Sequence, residues 1–393
     1  MARVLPFRAL RYASLDDARR RLLPDMPGVS DAERKRLALS DPLHVARLYE
    51  SPDPWAQLLR WESQGHVVAE DPAMYLVETQ AADKLLRQPP VRFLLCAMNV
   101  EGDIAEIERS PGRIGTAPVE PVPVLAADDQ QVFRTLLAEV VSDNFPVWEA
   151  NVEGSRIRLW RIGNGPLQRR IRATLEEMPV RPHGPVPEEG NFLAAMVPLA
   201  DPGLRMVPYH RGLKGLGTFS RDRFLALVSD YARVYELDKP LDAPGGLDEA
   251  RERLAQLAVG QHAVMLVLPE GEGRLLRFRM GLELDHIRAA PKSPTLRSLD
   301  LALLNALVLR TVLGIQEPEN ARHPNVFPIA GLRHLVTRVN EGVFQAGFAL
   351  NPPPVWEVRA VMEAAQALPP RTMRLSPTPP AGLLFLDPRA ATG

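Results

Sequence analysis

The sequence predicts an α+β fold of two interlocked subdomains, and three observations support this prediction. The chain has 393 residues, which is too many for one simple core. Amphipathic helices and short apolar strands alternate irregularly along it, without an internal repeat. Hydrophobic residues make up 46% and charged residues 24% of the chain, as in ordinary globular proteins. We therefore predict an N-terminal α+β half at residues 1–203 and a C-terminal α+β half at residues 204–393.

In the N-terminal half, apolar periodicity separates helices from strands. Strands are predicted at residues 74–79, 91–100 and 156–162. The second of these is apolar almost throughout, as in a strand that is buried on both faces. Helices are predicted after the Ser30 capping box, at residues 55–64, at residues 129–141 and from Gly165 onwards. Proline-rich loops are predicted at residues 101–127 and 179–191.

In the C-terminal half, the strongest pattern is the nearly all-apolar helix predicted at residues 298–314. A helix that is apolar all round must be covered, so we expect it to be central. Ser220 is expected to cap a helix, and residues 262–280 read as a hairpin. The remaining predictions are a strand at 342–350, a helix from Pro354, and closing strands at 371–376 and 382–387.

Charge and cysteine usage exclude several classes of protein. The net charge of −1 argues against a dedicated nucleic-acid binder, so nucleic acid is an improbable partner. No apolar run reaches the length of a membrane span, and the N-terminus lacks the apolar region of a signal peptide. We expect a cytoplasmic protein without a membrane partner. The single cysteine, Cys96, is expected to be buried, and it excludes an intramolecular disulfide and a cysteine-based zinc site.

Residues 204–219, LRMVPYHRGLKGLGTF, are the strongest candidate for a functional segment. His210 and Arg211 are adjacent, and Lys214 and Gly215 follow closely. Cations beside flexible backbone N–H groups suit a bound phosphate or carboxylate. The alternative is an ordinary surface turn with a salt bridge.

Other polar clusters are weaker candidates. Six arginines between residues 156 and 172 could form a patch for polyanions, or simply an exposed face balanced by acids elsewhere. Glu283, Asp285 and His286 have no ligand spacing typical of a metal site, so no metal is predicted there. His183 is expected to be an exposed residue without a function of its own. No Walker-type, Rossmann or Ser-His-Asp signature is present.

Five segments occur in an order that is known from a protein family. They are PFRALRY (6–12), VSDAERKRLALSDPLHVARL (29–48), WESQGHVVAEDPAMYLVE (61–78), LRMVPYHRGLKGL (204–216) and LPPRTMRLSPTPPAGLLF (368–385). Together they resemble the bacterial and archaeal family of domain of unknown function 1015, over nearly the whole chain. That family is distantly similar to the ParB and sulfiredoxin-like group, which includes nucleotide-binding proteins and kinases of free serine. The resemblance implies nucleotide-dependent phosphoryl chemistry, with ATP or ADP and Mg²⁺ as possible cofactors.

The chain departs from the family at its polar motifs. The family's Asp-Gly-His-His-Arg motif is replaced by Arg-Pro-His-Gly-Pro at residues 181–185, and its His-Glu-x-Thr segment keeps only Glu108. The C-terminal lysine of the family is replaced by Arg371. Arginine keeps the positive charge but cannot act as a base. These losses predict a catalytically degenerate protein, that is, a pseudoenzyme.

Our leading functional prediction is a binding or regulatory paralogue of a nucleotide-dependent small-molecule enzyme. Its ligand would be a nucleotide or a phosphorylated small molecule, bound by Arg211, Lys214, Gly215 and Arg371. We expect these cations to converge on one cleft, with Glu108 near its rim. The alternative is a kinase-like phosphotransferase acting on a small metabolite such as free serine, with His210 and Glu108 as candidate catalytic residues. A ParB-like DNA partner is disfavoured.

Overall fold

The computed structural model describes residues 2–23, 31–80, 88–100, 120–184, 186–187, 190–217, 219–282, 291–320, 323–387 and 389. These residues form α-helices, one π-helix and three β-sheets, which confirms the predicted α+β fold. The chain divides into two compact units. Unit 1 comprises Met1–Arg205 and Leu375–Gly393, and unit 2 comprises Met206–Arg374. This division lies close to the boundary drawn from the sequence, but it assigns the residues from 375 onwards to unit 1.

Unit 1 contains an eight-stranded sheet and a three-stranded sheet. Its strands are β1 (Ala2–Leu5), β2 (Ala9–Tyr12), β3 (Val67–Ala69), β4 (Met74–Gln80), β5 (Val91–Val100), β6 (Val122–Ala126), β7 (Trp148–Val152), β8 (Ser155–Ile162), β9 (Val180–Pro182), β10 (Phe192–Pro198) and the last strand of the chain, β18 (Phe385–Leu386). The large sheet has the order β7-β8-β4-β5-β10-β6-β9, with β1 beside β5. The pair β6–β10 is parallel, whereas the small sheet β18-β2-β3 is antiparallel.

Unit 1 has six described helices, of which the second, fourth, fifth and sixth match predicted helices, whereas the first and third were not predicted. They are α1 (Leu15–Ala18), α2 (Asp31–Ser40), α3 (Ala46–Glu50), α4 (Pro54–Ser63), α5 (Val132–Asp143) and α6 (Gly165–Glu176). Helix α5 begins later than predicted because the carboxylate of Asp128 accepts hydrogen bonds from the N–H groups of Phe133 and Arg134, at 3.2 and 2.8 Å. Those N–H groups would otherwise have no partner at the start of the helix.

Unit 2 is built on a seven-stranded sheet with the order β12-β14-β13-β16-β11-β15, and β17 pairs with β11. Its strands are β11 (Arg205–Leu213), β12 (Ala232–Glu236), β13 (Ala263–Val267), β14 (Gly273–Phe278), β15 (Val326–Ala330), β16 (Ala346–Leu350) and β17 (Met373–Ser376). Its helices are α7 (Arg221–Val228), α8 (Gly246–Leu257), α9 (Pro294–Arg297), α10 (Asp300–Leu303), the π-helix Leu304–Val312, α11 (Leu332–Asn340) and α12 (Val355–Glu363).

The sheet of unit 2 is buried on both faces. Along β13, Val264 and Leu266 pack in a core with α7 and the π-helix, which we call core A. Ala263, Met265 and Val267 pack on the other face with α8 and α11, in core B. This alternation follows from the two-residue period of a strand and explains why β13 is apolar throughout.

The apolar segment predicted as one central helix at 298–314 is buried at residues 301–309, whereas residues 310–314 are half-buried or exposed. Leu304, Leu307 and Val308 are completely inaccessible to solvent. The segment is nevertheless not one regular helix, because α10 continues into the wider π-helix. Within the described part of the chain, no helix is long and apolar enough to cross a bilayer.

Candidate functional site

Strand β11 carries two of the candidate residues on opposite faces of the unit 2 sheet. Residues Tyr209–Leu213 pair with β15, and Arg211–Leu213 also pair with β16. Leu213 belongs to core A, so Arg211 points to the same face. A Cβ atom at Gly212 would lie 2.6 Å from the ring of Phe344, a core B residue, so His210 points to the core B face.

His210 is held as a neutral imidazole by its surroundings. Its Nδ1 accepts a hydrogen bond from the Leu350 N–H at 3.2 Å, so in the neutral ring the proton resides on Nε2. Only 6% of the residue is exposed. Burial, together with the charges of Arg251 and Arg211, lowers the pKa of His210 to about 4. His210 therefore links β11 to β16, and Nδ1 is not available to a ligand.

Arg211 is a buried cation that is surrounded by backbone carbonyl groups. Its Nη1 donates to the oxygens of Tyr209 and His210 at 3.1 and 3.3 Å. Its Nη2 donates to the oxygens of Pro370 and Arg371 at 3.3 and 3.2 Å. Arg211 forms no ion pair with any residue that the structure describes. Burial, followed by the charge of Arg371, lowers the pKa of Arg211 to about 10.

Arg371 lies on the turn that Arg211 holds in place. The residue is exposed, and its backbone is in the left-handed region with φ of 53°. Its carbonyl accepts the hydrogen bond from Arg211, but its guanidinium has no hydrogen bond or ion pair with the described residues. The positive charge of Arg371 contributes, after burial, to the lowered pKa of Arg211.

Lys214 and Gly215 lie beyond the end of β11. The Lys214 Nζ is 4.3 Å from the centroid of the Phe327 ring, a cation–π contact. Phe327 pairs with Gly212 and packs against core B, so the ammonium lies on the face opposite Arg211. Gly215 has φ of 70°, and its carbonyl accepts a hydrogen bond from Asn325 at 3.1 Å.

The structure thus brings Arg211 and Arg371 together, although they are far apart in the sequence. It does not bring the Lys214 ammonium to the same face of the sheet. Glu108 lies outside the described residues, as do Glu283, Asp285 and His286. His183 is half-buried rather than exposed, and its N–H donates to the Pro123 oxygen at 2.7 Å.

The cluster of six arginines in unit 1 is mostly neutralised by acids. Five of them form ion pairs: Arg156 with Glu149, Arg158 with Glu78, Arg161 with Glu70, Arg170 with Glu139 and Arg172 with Glu176. Glu78 is almost fully buried and also pairs with Arg92. This arrangement favours the interpretation as a balanced surface over a patch for polyanions.

Unit 2 also contains an acid–base group that the sequence analysis missed. The His262 Nδ1 lies 3.0 Å from the Asp300 Oδ1, and Glu357 lies near both residues. The three side chains line one cavity of about 490 Å³. Asp300 begins a run of apolar residues and Glu357 precedes the buried Val358. The only local indication in the sequence was an acidic residue at the start of an apolar helix. This pattern does not show which side chains pack together in the fold.

Within the described ranges, no group of three or more His, Cys, Asp or Glu side chains is arranged to hold a metal ion. Cys96 is buried in β5, and burial raises the pKa of its thiol, which makes it a poor nucleophile and ligand.

Several solved structures are similar to this chain, but only weakly. A conserved hypothetical protein from Pyrococcus furiosus is 12% identical over 69% of this chain and 93% of its own, with a TM-score of 0.28. A free serine kinase in complex with AMP is 14% identical over 72% of this chain and 100% of its own, also at 0.28. A mutant free serine kinase in complex with ADP is 14% identical over 72% of this chain and 97% of its own, at 0.27. TM-scores this low carry no argument about the fold or activity of this chain.

Sequence comparison gives one family and no curated relative. No curated protein matches the chain. Residues 180–302 match the family described as "Protein of unknown function (DUF1015)". The matched segment contains β11 with His210 and Arg211, whereas Arg371 lies outside it. The match supports the resemblance to this family that the five sequence segments indicate.

Proposed function

We propose that unit 2 binds a small phosphate-bearing ligand, a nucleotide or a phosphorylated metabolite, at Arg211 and Arg371. One observation carries this proposal. Burial, followed by the positive charge of Arg371, lowers the pKa of Arg211, and neither arginine has a carboxylate partner among the described residues. Arginines in proteins are usually paired when they are buried. A bound anion would supply the missing negative charge.

The two arginines would have different roles in such a site. Arg211 uses both terminal nitrogens on carbonyl groups, so it would contribute charge and hold the turn that carries Arg371. The guanidinium N–H groups of Arg371 have no acceptor among the residues that the structure describes, so Arg371 could bind a phosphate through two parallel hydrogen bonds. One exposed arginine backed by a buried one suits affinities of micromolar to millimolar, or roughly −4 to −8 kcal/mol.

The proposed role is binding or regulation rather than catalysis. Phosphoryl transfer needs a positioned base and a stabilised transition state, and the loss of one such part commonly costs roughly 10³-fold in rate. His210 has its Nδ1 hydrogen-bonded to Leu350, and this supports a structural role for the imidazole. Binding makes smaller demands, because it needs only accessible donors and charge.

Calorimetric titration with inorganic phosphate, AMP and ADP tests the proposal. We expect at least one of these to bind the wild-type protein, and Arg371→Gly to weaken binding at least tenfold. Lys214→Ala is the matched control, since Lys214 is an exposed cation of the same segment on the opposite face of the sheet. The affinity of this variant for the ligand should differ less than twofold from that of the wild type. Absence of binding, or equal losses in both variants, would refute the two-arginine site.

A separate assay distinguishes the phosphotransferase alternative. Purified protein is incubated with Mg²⁺, ATP or ADP, and serine or related small alcohols, and products are followed by mass spectrometry. We expect no phosphorylated product. Turnover that His210→Ala or Arg211→Ala abolishes would replace the binding role by the kinase-like one.

A further inference from the structure

A second cavity in unit 2 has features of a binding site of a different kind. It has a volume of about 490 Å³ and is bordered by the end of α8, the start of α10 and the first turn of α12. Its walls are largely apolar and include Val259, Leu299, Pro352 and Trp356. Trp356 is 63% exposed, which is unusual for so large an apolar side chain. A largely apolar cavity with a few polar groups is the usual form of a small-molecule site.

Glu357 is the polar side chain in this cavity that most needs a partner. Only 7% of the residue is exposed, and its carboxylate has no hydrogen bond or ion pair within the described part of the chain. Buried carboxylates are almost always paired, because the loss of hydration is costly. The cavity therefore gives a ligand direct access to an acceptor that has no partner among the described residues.

The charged groups next to Glu357 do not compensate the negative charge of its carboxylate. His262 and Asp300 form their own pair at 3.0 Å, and Asp300 also accepts from the Ala263 N–H. The hydrogen bond to Asp300 raises the pKa of His262, whereas burial raises the pKa of Asp300; a proton on either member leaves the pair with no net charge. Asp300 and Glu357 are two carboxylates beside one imidazole, so the three side chains together carry excess negative charge when Glu357 is ionised. Asp300 and His262 are the two charged groups that act on it.

We infer that this cavity binds a small organic amine, whose ammonium group contacts Glu357 and whose apolar body packs against Trp356 and the prolines beside it. An ammonium group compensates the excess negative charge, whereas an anion would meet two carboxylates. Indole rings attract cations as well as apolar groups, so Trp356 fits both parts of such a ligand. This inference does not depend on the anion site proposed above.

Protonation of Glu357 is linked to binding. Burial, followed by the charge of Asp300, raises the pKa of Glu357 to about 7. An ammonium ligand prefers the carboxylate, so binding releases a proton and the affinity increases as the pH rises through this value. Loss of the proton from His262 also increases the affinity, because it removes a positive charge near the bound ammonium group. With Glu357 alone, the affinity should increase about tenfold between pH 6 and pH 8.

Three probes of one shape test the inference: benzylamine, benzyl alcohol and benzoate. Binding is measured by calorimetry and by the fluorescence of Trp356, with Trp356→Phe identifying its contribution to the signal. We expect benzylamine to bind at least tenfold more tightly than the neutral and anionic probes, and more tightly at pH 8 than at pH 6.

Variants then assign the contact. Glu357→Gln preserves the shape and resembles the protonated acid, and it should weaken benzylamine binding at least tenfold at pH 8 and leave only the part of the pH dependence that His262 contributes. Glu363→Gln, at an exposed acid of the same helix that pairs with Arg359, is the control and should change neither. The inference is overturned if no probe binds at millimolar concentration, if benzyl alcohol binds as tightly as benzylamine, or if Glu357→Gln retains full affinity. A thermal melt confirms that each variant is folded.

Discussion

Arg371 allows the strain of its backbone to be separated from the charge of its side chain. A non-glycine residue at φ of 53° costs about 1–2 kcal/mol relative to an ordinary conformation. Arg371→Ala removes the charge and keeps this strain. Arg371→Gly removes both, although glycine adds about 0.5–1 kcal/mol of entropy to the unfolded chain. We therefore expect the Gly variant to exceed the Ala variant by about 1 kcal/mol in free energy of unfolding.

Differential scanning calorimetry can resolve this difference. For a unit of this size, 1 kcal/mol corresponds to roughly 2–4 °C in Tm, so the Gly variant should melt higher than the Ala variant by that amount. Both variants should lose ligand binding to the same extent, because both lack the guanidinium. An Ala variant that is more stable than the Gly variant would refute the strained turn. Retained binding in both would refute the role of the side chain.

Three further predictions concern the core and β11. Leu304→Asp should destabilise unit 2 by at least about 4 kcal/mol, since it removes a fully buried apolar side chain and buries an unpaired charge; soluble, cooperatively folding protein of unchanged Tm would contradict this. Arg211→Lys should cost about 2 kcal/mol in urea unfolding, because one ammonium group cannot bridge both pairs of carbonyls; unchanged stability would argue against the bridge. Burial lowers the pKa of His210 to about 4, from about 6.5 in the unfolded chain, so the wild type should lose up to about 3 kcal/mol more stability than His210→Asn as the pH falls through this window.

The local elements of this fold could be predicted from the sequence because their signals are local. The apolar run of β5, the hairpin β13–β14 and the Pro166 start of α6 all match the predicted elements. Each depends on a period of two or 3.6 residues, or on turn chemistry, within a few residues of the chain. The departure at the central helix, where α10 widens into a π-helix, has no such local signal.

The candidate site could be predicted only in part. The adjacent His210 and Arg211 indicated polar chemistry on β11, but the sequence did not show that one side chain contacts Leu350 and the other the turn before β17. Alternation along a strand also separates neighbours: Arg211 and Lys214 lie near each other in sequence and on opposite faces of the sheet. Glu357 and Asp300 meet only through helix packing, which periodicity does not encode.

The most direct test of the two-arginine site is a crystal structure of the protein with ADP at a concentration close to its measured Kd. We predict electron density for a phosphate group within hydrogen-bonding distance of the Arg371 guanidinium, with Arg211 still bound to the carbonyls of Pro370 and Arg371. The same experiment on Arg371→Gly should show no density there. A phosphate group bound elsewhere, with the Arg371 guanidinium free in solvent, would contradict the account.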